Sequence, residues 1–111
     1  MLPVLHGDLV AVARALRAAP EPERAALCRE ILAQAGWARS YARALGRRHP
    51  HWGSGSLMEA AGRFPQAREP FLSDPDWLHC LWVVVGELLD RARRHRAARR
   101  GAGWKNAGER L

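Results

Sequence analysis

A chain of 111 residues holds one domain with a modest core, and an apolar share of 48% excludes a disordered polymer. No apolar run approaches the roughly 18 residues a membrane-spanning helix requires, the longest being Leu81 to Val85. The formal charge of +7 is unevenly placed: residues 1–90 carry ten Arg against ten acids, whereas residues 91–111 carry seven Arg and Lys105 against Glu109 alone.

Leu9, Val12, Ala13 and Leu16 recur at helical spacing, with Arg14 and Arg17 turned away, Asp8 as the expected N-cap and Pro20 and Pro22 as the stop. A second helix is predicted from Pro22 to Gly46, its stripe being Leu27, Ile31, Ala35, Ala38, Ala42 and Leu45. Arg47 to Ser56, with Pro50, Gly53 and Gly55, reads as a loop. Ser56-Leu57-Met58-Glu59 fits a capping box, which predicts a short helix to about Arg63. Pro65 and Pro70 enforce an extended connection. Asp74-Pro75 places an N-cap before a proline at the first helical position. Leu78, Leu81, Trp82, Val85, Leu88, Leu89 and Ala92 then form a stripe, and no breaker interrupts Arg91 to Arg100. Gly101 to Leu111 reads as a loose tail. The expectation is an all-α bundle of about four helices over residues 7–92, with a basic extension over 93–111. The bundle is expected to contain the aromatics Trp37, Trp52, Phe64, Phe71, Trp77 and Trp82 in its core.

Arg91, Arg93, Arg94, Arg96, Arg99 and Arg100 would surround most of a helix at ~100° per residue, a solvated rod able to meet phosphates from any side. Arginine forks suit phosphate, but phosphate contacts carry no sequence information. A solubilising helix end or a dock for an acidic protein surface remain the alternatives. Leu32 to Leu45 also admits a helix-turn-helix with Gly36 at the turn and Arg39, Ser40 and Arg43 on the second helix, or else one continuous helix. In the tail, Trp104, Lys105 and Arg110 form a candidate partner-binding anchor.

Catalysis and cofactors are not expected. His49 and His51 lack the second ligand pair of a zinc site. Gly53-Ser54-Gly55-Ser56 lacks the Gly-Lys-Ser/Thr of a phosphate loop. Cys28 and Cys80 lie in apolar helical patterns as free thiols, and the N-terminus carries no secretory pattern, so a cytoplasmic location is expected.

Three segments together resemble the short proteins encoded beside the large terminase in alphaproteobacterial gene transfer agents. They are Gly7-Asp8-Leu9-Val10-Ala11, His49-Pro50-His51-Trp52-Gly53-Ser54-Gly55-Ser56-Leu57-Met58 and Pro70-Phe71-Leu72-Ser73-Asp74-Pro75-Asp76-Trp77-Leu78. The similarity runs from about Gly7 to Leu89. It implies a small terminase subunit that forms homo-oligomers, engages DNA with little sequence preference and hands it to the large subunit. Phage small terminases typically carry an N-terminal helix-turn-helix that this sequence lacks, which points away from specific recognition. The C-terminal end, where such subunits commonly meet the large one, would then serve DNA or protein docking. The alternative reading is a regulatory adapter whose basic C-terminal helix docks an acidic partner.

Overall fold

The computed structural model describes residues 1–109, with side chains as far as Gly101. Four helices, α1 (His6–Arg17), α2 (Arg24–Leu45), α3 (Leu57–Ala61) and α4 (Pro75–Glu109), follow one another, with a 3-10 turn at Glu21–Glu23. The described residues contain no β-strand, only an isolated bridge between His49 and Gly53. The all-α expectation holds.

Helix α1 starts earlier than its expected cap. Leu5 is the N-cap and Asp8 is the third helical residue. The buried Asp8 carboxylate accepts from the Leu5 amide at 2.8 Å and, across the molecule, from the Met58 amide at 3.1 Å. One side chain thus satisfies an orphan donor at the start of α1 and another at the start of α3.

Helix α2 is unbroken, and the helix-turn-helix alternative falls. Ile31, Leu32, Ala35 and Ala38 on either side of Gly36 are all buried on one face. A lone helical glycine costs about 1 kcal/mol, less than that burial returns. The helix ends where glycine allows: Gly46 is left-handed (φ 68°) and donates to the Ala42 carbonyl at 2.8 Å.

Helix α3 stops at Ala61, short of the expected Arg63. Only half of its capping box forms. Ser56 Oγ accepts from the Glu59 amide at 3.2 Å, but the Glu59 carboxylate accepts instead from Ser54 Oγ at 2.8 Å and pairs with Arg48. The connection to α4 is extended as expected and is stitched to α1. The Ala67 amide donates to the Arg14 carbonyl at 3.0 Å, Arg14 Nε donates to the Ala67 carbonyl at 2.9 Å, and Gln66 Nε2 donates to the Ala11 carbonyl at 3.3 Å.

Asp74 caps α4 as predicted, its Oδ1 accepting from the Trp77 amide at 3.1 Å. The loose tail does not appear, because α4 continues to Glu109. No proline follows Pro75, and Gly101, Gly103 and Gly108 weaken a helix without breaking it.

The stripe expected to face the core is the larger correction. Trp77, Cys80 and Val84 are the buried residues of α4, with Leu81, Val83 and Leu88 packed at the margin. Leu78, Trp82, Val85 and Leu89 face outward. Apolar residues occupy more than one side of this helix, so periodicity alone cannot choose the buried side. The aromatic expectation fails as well: Trp37, Phe71 and Trp82 are exposed, Trp52 and Phe64 are half-buried, and only Trp77 lies fully in the core. Alanines at 11, 13, 15, 35, 38, 60 and 61 fill much of that core and allow close helix approach.

One buried charge ties three helices together. Arg24 Nε donates to the carbonyls of Leu16 (3.0 Å) and Ala19 (3.4 Å), at the end of α1. Its Nη1 meets His79 Nδ1 at 3.0 Å and its Nη2 meets Asp76 Oδ1 at 2.8 Å, both in the first turns of α4. Further along, Arg29 pairs with Glu87 at 2.8 Å, and Arg91 lies against Gly36. These contacts advance together along both helices, so α2 and α4 run parallel and their C-terminal halves share one end of the molecule.

Candidate nucleic-acid interface

The six arginines singled out in the sequence all lie on α4 but are not equivalent. Arg91 is half-buried and packs back on the body: a Cβ at Gly36 would sit 3.2 Å from its Nη2. Arg94 pairs with Asp90 one turn earlier at 3.3 Å, an exposed contact of little energetic weight. Arg93, Arg96, Arg99 and Arg100 are exposed and form no ion pair among the described residues. The side chains of Trp104 and Lys105, and the whole of Arg110, lie outside the described residues.

The parallel course of α2 and α4 adds charges that the C-terminal count had left out. Arg39 and Arg43 stand on α2 near Arg91. The amino group of Met1 is held below its ordinary value first by burial, then by the positive fields of Arg91, Arg43 and Arg39. By contrast, Arg17, Arg24, Arg29 and Arg48 are matched to Asp76, Glu87 and Glu59. Arg39 and Arg43 thus carry the basic surface of α4 onto the adjoining end of the body, while Arg14, Arg47, Arg63 and Arg68 elsewhere on the body also form no ion pair among the described residues.

Beside it stands a pile of aromatic rings. Trp37 of α2 meets Trp52 at 5.0 Å, Trp52 stacks on His49 at 4.4 Å and 14°, and His49 meets the edge of Tyr41 at 4.7 Å. This pile pins the 46–56 loop to α2. Within the loop, His49 Nδ1 accepts from the amides of His51 and Trp52, both at 3.0 Å. That ring edge is occupied, which works against a His49–His51 metal pair. Gly53 and Gly55 have positive φ (82° and 105°), and a Cβ at Gly55 would lie 2.8 Å from Arg39 Cβ, so the loop hugs α2. Among the described residues no three His, Cys, Asp or Glu side chains converge to hold a metal. No described helix is long and apolar enough to cross a membrane.

Residues 2–88 match the family model described as a domain of unknown function, DUF7742. The chain belongs to the DUF7742 family. No curated protein and no solved structure matches it significantly. The DUF7742 match covers the helical body and ends ahead of Arg91, so the most basic part of α4 lies beyond it. Within this DUF7742 body, sequence reasoning missed the two residues that organise the polar interior, Asp8 as a bridge and Arg24 as a buried charge. Asp8 was legible as a helix-start residue; its second acceptor role depends on α3 being alongside. Arg24 carried no signal, being one of many arginines on helices.

Proposed function

We propose that the protein is a non-catalytic DNA-packaging adapter of the small-terminase kind. In this reading the helical body self-assembles in the cytoplasm. The basic end contacts the DNA backbone weakly and without sequence preference, and the same end engages a large terminase subunit. The observation that carries the reading is the segregation of charge: a body whose ten arginines are balanced by ten acids, and an end where Arg93, Arg96, Arg99 and Arg100 have no carboxylate partner among the described residues. Unpaired guanidinium groups on a projecting helix suit a polyanion and make contacts indifferent to sequence.

A second reading has its own support. Trp37 and Leu45 are exposed at the same end as Arg39 and Arg43, and aromatic residues with arginine are enriched in protein interfaces. A regulatory adapter gripping an acidic protein would use them.

Filter binding of unrelated duplexes over a salt series tests the first reading. Six phosphate contacts give a log–log slope of roughly −5, equal for every duplex. No retention at low salt sinks the DNA contact. Deletion of residues 91–111 should abolish retention, and pulldown of the large terminase by the intact chain but not by the deletion would place the motor contact at this end. Capture of an acidic non-terminase partner, with no DNA retention, would favour the second reading.

A further inference from the structure

We infer that the outward face of α4 is a self-association seam through which two copies of this chain pair antiparallel about a twofold axis. This deepens the assembly part of the proposed function and is independent of DNA contact.

Leu78, Trp82, Val85 and Leu89 are 47%, 72%, 50% and 47% exposed. Their spacing of four, three and four residues is the seam of a coiled coil, which fits a helix carrying the same repeat. Gly86 lies beside them, and a Cβ there would meet nothing within 4 Å, so a second backbone can come close. The patch continues sideways into a shallow groove where Val4, Leu5 and Leu9 face Val85 and Leu89. Isolated exposed apolar residues need no explanation, but a contiguous stripe of this kind marks an interaction surface.

The pattern of the stripe also specifies what covers it. The stripe is its own complement: in an antiparallel pair Leu78 faces the partner's Leu89, and Trp82 faces the partner's Val85, large against small. Along the same line two turns after Leu89 stands Arg96, with Arg93 and Arg100 close by, so the apolar seam ends near Ala92. A parallel pair would set both arginine segments side by side and repel. The antiparallel pair sends them to opposite ends and brings each toward the acidic start of the other α4, at Asp74. The alanine-rich core gives a lone copy little apolar burial, and pairing supplies more.

The test uses the full chain. Light scattering at micromolar concentration should give a dimer, and Trp82→Glu and Leu89→Glu should each give a monomer with unchanged helical circular dichroism. Variants Leu78→Cys and Leu89→Cys, each adding one exposed thiol to a chain whose own Cys28 and Cys80 are buried, fix the direction. These sites lie eleven residues, or roughly 16 Å, apart along the helix. Under mild oxidation the mixture should cross-link 78 to 89, with each variant alone remaining uncross-linked. A wild-type monomer, a dimer that survives Trp82→Glu and Leu89→Glu, or cross-linking of each variant to itself would overturn the proposal. Duplex retention measured on the same samples separates the two readings, since an intact dimer that binds no DNA defeats the DNA contact alone.

Discussion

Asp8 shows how much one buried carboxylate can organise. It accepts from two amides on different helices, so Asp8→Ala leaves both donors without a protein partner. A loss of about 1–3 kcal/mol is expected, read as a lower urea midpoint. Asp8→Asn, with one remaining acceptor oxygen, should fall between. The cysteines make a second case. Burial, with Glu87 adding and Arg29 opposing, pushes the Cys28 thiol up to about 12, and burial raises Cys80 as well. Both should resist a maleimide reagent at pH 8 in the native protein and react once unfolded. The unfolded thiol ionises near its ordinary value of 9.0 while the folded one stays protonated. The unfolded state thus loses its proton first as pH rises. The thiol contribution to stability is whole below pH 9 and is lost progressively toward pH 12, which a denaturation series across that range measures.

Among the elements, α2 offers the clearest contrast between local and tertiary demands. Gly36 is a conformational weak point in an otherwise uniform helix, and its neighbour across the interface is the flexible end of Arg91. Gly36→Ala should raise stability by up to about 1 kcal/mol, since the guanidinium can swing aside; a thermal melt checks it. Had Gly36 formed the turn of a helix-turn-helix, the same change would destabilise. Gly55→Ala should do the reverse, because φ is 105° and the new Cβ would meet the Arg39 backbone at 3.0 Å. A drop of a few kcal/mol, about the size expected for strain plus overpacking, should appear in the melt. In α4, the start signal at Asp74-Pro75 was strong in sequence because capping is local chemistry. The side that it buries was not, because the Leu81 to Val85 run offers apolar residues in every direction.

For the whole molecule, the balance between body and extension sets what can be removed. Residues 93–101 are exposed and add nothing to the buried core. Truncation of residues 93–111 should therefore change the stability of the body by less than about 1 kcal/mol, while removing most of the net positive charge. A melt that collapses on truncation would show that the extension holds the body together. The proposed pairing along α4 gives this layout a purpose: two charge-balanced bodies at the centre, with arginine-rich helices leaving from opposite ends.

The sequence by itself determined the number and order of the helices, the caps at Ser56 and Asp74, the stop at Gly46 and the separation of charge, because each depends on neighbours within a turn or two or on simple counting. Only the tertiary structure decided which face of α4 is buried, that Asp8 serves two helices, that Arg24 joins three, and that Arg39 and Arg43 stand at the same end as Arg91. The physical reason is that these outcomes depend on which surfaces meet. Here a small alanine-rich core leaves more apolar residues on α4 than one face can bury, so local periodicity does not select among them.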